Sequence, residues 1–190
     1  MARISDFKAH MTGGGARANQ FRVTLTFPSF VPVGASLGNK AQFLCKAAQL
    51  PGSTIENIPV QYRGRAINFA GERTFAPWSI TVYNDVDFAI RDAMEVWSNG
   101  VQNYTATNGL TNPLDYQVQL AVEQLDRNGA VLKGYRFVDA YPTEIGAIAL
   151  DYDQANVIET FDVTFTYNYW TSNTAIETDG VEAILAPFQI

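Results

Sequence analysis

With one cysteine and one histidine among 190 residues, the chain has little room for metal or nucleophile chemistry. Cys45 has no partner for an intrachain disulfide and cannot build a cysteine zinc cluster; in a short apolar segment it reads as a buried thiol. His10 lies in a polar N-terminal stretch, which removes a histidine-based triad or a His-rich metal site. No run of 18 apolar residues occurs, so no helical membrane span is expected. The first residues also lack the apolar core of a secretion signal, and the expected setting is a cytosol-like compartment, or release from one by lysis. Charge is scarce at 17% of residues, whereas 47% hydrophobic residues suffice for one substantial core in a 21.0 kDa chain. Internal repeats are absent.

The scarce charge is unevenly spread. Residues 1–75 carry nine Lys/Arg against three Asp/Glu, a net +6, and residues 76–190 carry four against sixteen, a net −12, which together give the overall −6. Two solvated faces would explain this, and so would complementary surfaces of a head-to-tail assembly. Composition leaves both open.

What the chain has in quantity is aromatic and β-branched residues in alternation, which favours sheet. The centre of the pattern is 68–99. Trp78, Ile80 and Val82 alternate with Ser79, Thr81 and Tyr83, a strand with one buried face. Asn84 and Asp87 then resemble a weak capping box, Asp85 adds a second acid, and Val86, Ala89, Ile90, Ala93 and Trp97 fall at helical spacing. Asn99-Gly100 supplies a stop. The expectation is one flanking helix, Asp85–Asn99, packed on a sheet.

Around that centre, residues 1–19 are polar, include Gly13-Gly14-Gly15, and read as a flexible arm with a short helix over Ser5–His10. A strand is expected over Gln20–Phe27, a loop over Pro28–Asn39 and a second short strand over Ala41–Lys46. Ile55–Ala70 reads as a long hairpin turning near Arg63-Gly64-Arg65, with side chains too mixed to cover a core of its own; such a hairpin usually pairs with something else. Further strands are expected over Tyr116–Leu125, Ala130–Val138 (after the Asn128-Gly129 turn), Glu144–Tyr152 and Val157–Trp170, the last with Phe161, Val163, Phe165, Tyr167 and Tyr169 inward. The fold class is therefore mainly β: an antiparallel β-sandwich or barrel with one flanking α-helix and a long protruding hairpin. The division is an arm over 1–19, a β domain over 20–170 and an extension over 171–190.

Few chemical motifs stand up. Gly13-Gly14-Gly15-Ala16-Arg17 lacks the spacing and the Lys-Ser/Thr of a phosphate loop. Asp151, Asp153 and Asp162 scan poorly as a calcium loop, since Asn156 stands where glycine is needed and Asp162 where a bidentate Glu is needed. Asp85, Asp87 and Asp92 are explained by helix-start electrostatics better than by paired-carboxylate catalysis. Asn103-Tyr104-Thr105 is a chance glycosylation sequon. Basic residues are not interleaved with stacking aromatics, which argues against base reading of nucleic acid. No catalytic, metal or cofactor site is expected. A monomeric β-barrel holding a small ligand is a second reading, and it requires an enclosed apolar cavity.

Several blocks resemble the tail tube proteins of contractile-tailed phages: Phe43-Leu-Cys-Lys-Ala-Ala-Gln-Leu-Pro51, Ile58-Pro-Val60, Ile67-Asn-Phe-Ala-Gly-Glu-Arg-Thr-Phe75, Trp78-Ser-Ile-Thr-Val-Tyr-Asn-Asp85 and the Arg91–Trp97 helix. Tyr141-Pro-Thr-Glu-Ile-Gly146, Leu150-Asp-Tyr-Asp153, Ile158-Glu-Thr-Phe-Asp-Val-Thr-Phe165 and Tyr169-Trp170 continue the resemblance. It implies a virion protein assembled in the bacterial host cytoplasm, with sixfold rings that stack head to tail into a tube inside a contractile sheath. Implied partners are further copies of the chain, the sheath, baseplate and tail-terminating proteins, and genomic DNA that passes through the lumen without sequence-specific binding. The family is also similar to tubes of type VI secretion systems and phage-tail-like bacteriocins. By this resemblance the hairpin is the joining element, with Ile58, Val60, Tyr62, Arg63, Arg65, Ile67 and Phe69 as subunit-interface residues, and Arg63 and Arg65 meeting acids of a neighbour. The Pro28–Asn39 loop and the 171–190 extension look like additions.

Overall fold

The computed structural model describes residues 3–11, 14–32 and 34–172. In chain order the elements are α1 (Ile4–His10), β1 (Phe21–Thr24), α2 (Gly34–Leu44), β2 (Cys45–Ala48), β3 (Ser53–Tyr62) and β4 (Arg65–Phe75). There follow β5 (Trp78–Tyr83), α3 (Ala89–Val101), α4 (Pro113–Tyr116), β6 (Val118–Leu125), β7 (Val131–Ile145), β8 (Thr160–Thr166) and β9 (Tyr169–Ser172). All strand pairings are antiparallel. The main sheet runs β1-β6-β7-β8-β5-β2, with β9 also on β7, and β3-β4 form a separate two-stranded sheet.

Strand β7 organises the main sheet. Its first part pairs with β6 and β9, and Tyr141–Ile145 pairs with β8. The changeover falls at Asp139, whose φ is +58°, and at Pro142, where the β7–β8 register slips. Asp tolerates the left-handed region better than most residues, and the Asn168 amide nitrogen Nδ2 donates to the Asp139 carboxylate at 2.8 Å. Proline has no N–H for the ladder, so it fits where pairing is irregular. The expected pair of strands either side of Tyr141-Pro142-Thr143 is therefore one strand of 15 residues, the longest of the main sheet, and most of 146–159 is loop rather than strand.

The core lies between the two parts of this sheet and α3. Val23, Leu120, Val122 and Phe137 bury against Trp78, Ile80, Val82, Phe161, Val163 and Phe165, and Ile90, Ala93, Met94 and Trp97 close one side. The expected alternation of β5 and the inward set of β8 agree with these positions. The indole N–H groups of Trp78 and Trp97 donate to the carbonyls of Gln49 (2.7 Å) and Tyr116 (2.8 Å), so the buried rings leave no donor unpaired. Mainly antiparallel β structure, a flanking helix and a protruding hairpin are all present. The sheet does not close into a barrel, since β1 and β2 stand at opposite ends of its path.

Three further local expectations are corrected. Gly34–Leu44 is helix, where a loop and a strand were expected. Leu37 and Ala41 are buried and Leu44 packs on the core, a spacing of four and three. Gly38 serves packing rather than breaking the helix, because a Cβ there would lie 2.8 Å from the Leu25 carbonyl oxygen. The flanking helix spans Ala89–Val101, not Asp85–Asn99, with Phe88 left-handed at φ +52° before it and Val86 almost fully exposed. The run Val157–Trp170 is broken into β8 and β9, leaving Tyr169 half exposed. The short arm helix is present as α1, while the expected extension lies outside the described residues beyond Ser172. Among the described residues, no helix is long and apolar enough to cross a membrane.

Candidate functional site: the exposed hairpin

The β3–β4 hairpin is longer than its sequence pattern suggests, spanning Ser53–Phe75. Its two-residue turn, Arg63-Gly64, has φ values of +49° and +81°, both positive as a type I′ turn requires. Tyr62 faces Arg65, Val60 faces Ile67 and Ile58 faces Phe69. Directly opposed residues share a face, so Ile58, Val60, Tyr62, Ile67, Phe69 and Arg65 lie together on one side. Gln61, Ala66, Pro59, Asn68, Asn57 and Ala70 make the other, where the Asn57 side chain donates to that of Asn68 at 3.0 Å. The sequence reading of mixed side chains resolves into one apolar and one polar face.

Among the described residues the apolar face is unpartnered. Its five large side chains are 45% to 58% exposed, and β3 and β4 pair there only with each other. Fully burying such a side chain contributes about 1.5–3 kcal/mol, so covering the remaining half of five adds on the order of 5 kcal/mol. The outer edges of β3 and β4 also leave backbone donors and acceptors open for pairing. At the tip, the Arg63 guanidinium lies 5.4 Å from the centre of the Tyr62 ring. Neither Arg63 nor Arg65 has an ion-pair partner among the described residues.

The hairpin root is fixed to the body. Phe75 packs against Tyr167 and Trp170, with ring centres 6.2 Å apart in each case, and the Trp170 indole donates to the Gly52 carbonyl at 3.2 Å. A register slip between Ile55 and Asn57 marks a bulge partway up. Ile55, where the expected hairpin begins, lies below that bulge and is 51% exposed.

The other titratable candidates have structural partners. Asp85 and Asp87 both contact the Lys40 ammonium, at 2.7 Å, which ties α2 to the loop before α3. The Asp85 hydrogen bond, then that of Asp87, raises the Lys40 pKa; the Lys40 hydrogen bond lowers that of Asp87. Asp87 also accepts from the Ala89 N–H at the helix start, as helix-start electrostatics requires. Asn84, expected as the cap, instead donates to Glu159 at 3.0 Å. Of the calcium-scan residues, Asp151 accepts from the Asp153 N–H and Asp162 from the Thr81 hydroxyl. No group of three or more His, Cys, Asp or Glu placed to hold a metal occurs among the described residues. Burial pushes the Cys45 thiol up to about 11.

A family model described as phage tail tube protein matches residues 16–173. The tail tube protein gp19 of Enterobacteria phage T4 is 35% identical over 166 residues, which cover 86% of this chain and 95% of that protein. The tube-terminating cap of the anti-feeding prophage shares the fold with a TM-score of 0.63 at 17% identity, covering 85% of this chain and 92% of the other. A chain of the PVC sheath-tube complex, from an extracellular contractile injection system, has a TM-score of 0.58 at 12% identity, covering 90% and 98%. The sequence relatives are structural tube proteins rather than enzymes. Since the match takes in the whole body and the hairpin that projects from it, the chain belongs to the phage tail tube protein family.

Proposed function

We propose that this chain is the repeating subunit of the inner tube of a contractile phage tail, and that its hairpin is the element through which copies join. The carrying observation is the apolar face of Ile58, Val60, Tyr62, Ile67 and Phe69, half exposed on a hairpin that no other strand among the described residues covers. Sixfold rings give that face a neighbour and bring β strands of successive subunits into one continuous inner wall, which removes open edges. Arg63 and Arg65 then meet acids of the adjoining copy. Rings stack because a heterologous contact that does not close grows into a filament.

In this reading the tube lies within a sheath, starts on a baseplate and ends at a terminating protein, and phage DNA passes down the lumen. Acidic side chains facing that lumen repel phosphates and keep the DNA from adhering. The protein is a virion component assembled in the host cytoplasm, with 1–19 as an arm and 20–170 as the body. The ligand-barrel alternative is disfavoured, because the sheet is open and the interior is filled by Trp78, Trp97, Phe137, Phe161 and Phe165.

Negative-stain electron microscopy over a concentration series tests the assignment. The full chain is expected to form hollow tubes or sixfold rings, if necessary on an added baseplate, and the chain lacking residues 58–68 to stay soluble and unassembled. Tubes from the deleted chain indistinguishable from those of the full chain would refute the joining role.

A further inference from the structure

The two ends of β7 carry surfaces of opposite character. At its start, the chain leading from the arm is held on the β6–β7 turn: the Gln124 amide donates at 2.6 Å to the carbonyls of both Arg17 and Gln20. The Gly14 N–H donates to the Met11 carbonyl at 3.1 Å, which keeps the end of α1 within a few residues of this anchor. No residue of α1 is buried. Ile4 and Phe7, with Met11 just beyond, are spaced three and four apart and form one apolar stripe, 77%, 64% and 44% exposed. Arg3 and Lys8 flank it, and neither has an ion-pair partner among the described residues.

At the far end of β7, the 146–159 loop borders an open cleft of about 380 Å³ whose lining includes Leu150, Tyr152, Val157, Asp151 and Glu159. Its apolar residues are strongly exposed, Leu150 at 79% and Val157 at 66%. Residues 146–160 contain Asp151, Asp153 and Glu159 and no Lys, Arg or His, and none of the three acids has a basic ion-pair partner among the described residues. Fifteen residues at about 3.3 Å each give the strand a contour of roughly 50 Å, with the Arg17–Gln20 anchor at its start and the cleft at its far end.

We infer that α1 of one copy docks in the 149–159 cleft of the next, its Ile4-Phe7-Met11 stripe on Leu150, Tyr152 and Val157 and its basic residues against the loop's acids. The occupant is a second copy because one chain carries both halves: an apolar helix face flanked by Arg3 and Lys8, with Asp6 on the helix's other side, and an apolar cleft bordered only by acids among the charged residues of 146–160. Such a contact is heterologous and propagates along a stack. This deepens the tube reading and rests on it for the direction in which copies add.

Cysteine pairing and charge reversal test the contact in the full chain. In a Cys45→Ser background, Phe7→Cys with Tyr152→Cys is expected to give, after mild oxidation of assembled protein, a disulfide ladder extending past dimer on a non-reducing gel; neither single variant gives one. Lys8→Glu or Asp153→Lys alone is expected to raise the half-maximal polymerisation concentration about tenfold at low salt, and the two together to restore it. Tubes that form without a ladder and ignore both reversals would overturn the contact and leave the tube reading standing. A ladder without rings under the microscope would support the contact and count against the rings. Absence of both would overturn the inference.

Discussion

Trp78 and Phe137 stack with ring centres 4.3 Å apart and planes 28° from parallel, one ring from β5 and the other from the first part of β7. Strand β5 is joined to β7 in the sheet only through β8, so this contact crosses the interior rather than running along a ladder. Phe137 also meets Tyr167 edge-on at 4.8 Å, and Trp78 lies 5.7 Å from Phe165. Phe137→Ala removes the ring that meets both Trp78 and Tyr167 and is expected to cost about 3–5 kcal/mol of stability, read as a lowered denaturation midpoint of the unassembled subunit.

The hairpin separates folding from assembly. Ile58→Asp with Phe69→Lys places an opposed pair of unlike charges on an already exposed face, so the subunit's own stability is expected to change by less than about 0.5 kcal/mol. Ring formation is expected to be lost. Thermal melting of the monomer and electron microscopy at high concentration read the two effects apart; a large fall in melting temperature would mean that the face packs on its own body.

Gly38 is a steric requirement. A methyl group there points at the Leu25 carbonyl oxygen at 2.8 Å, and backbone cannot rotate away as a side-chain tip can. Gly38→Ala is expected to destabilise by about 1–3 kcal/mol despite alanine's higher helix propensity. Chemical denaturation checks the sign.

The Lys40 clamp gives two pH limits. The Asp87 pKa is lowered in the fold, so its contribution is present above the ordinary value of 3.8 and fades as pH falls through the folded one. The Lys40 pKa is raised, so its contribution is complete below the ordinary 10.5 and fades as pH rises through the folded value. Between these limits the clamp holds. Lys40→Met is expected to flatten both flanks of the melting-temperature profile, and by little, because the groups are solvent exposed.

Cys45 is expected to be slow to alkylate. A thiol at about 11 rather than 9.0 has about 100-fold less thiolate at pH 8. Iodoacetamide labelling followed by mass spectrometry, native against unfolded, measures the ratio.

The elements read correctly from sequence are those whose pattern is local. Trp78-Ile80-Val82 and Phe161-Val163-Phe165 alternate without interruption, and the Arg63-Gly64 turn sits between two extended runs. The misread elements depend on distant partners. The glycines of α2 resemble loop until Leu25 is placed beside Gly38, and the α3 start moves from Asp85 to Ala89 because Lys40, far upstream, holds both aspartates. Pro142 reads as a strand end unless β8 is known to take over from β6 at that point. The interface residues were named from family likeness; that six of them, all but Arg63, share one face follows from register, which alternation gives once the turn is fixed.

Because β7 belongs to both parts of the main sheet, the subunit has a tension member. A pull between the arm end and the 146–159 loop runs along the covalent backbone of 15 residues, while the hydrogen bonds to β6, β8 and β9 are loaded in shear along their length rather than opened one by one. Stretching the molecule along this axis therefore meets bond angles and many ladder bonds at once, whereas a pull across it peels single pairs. The subunit is built to be stiff in one direction.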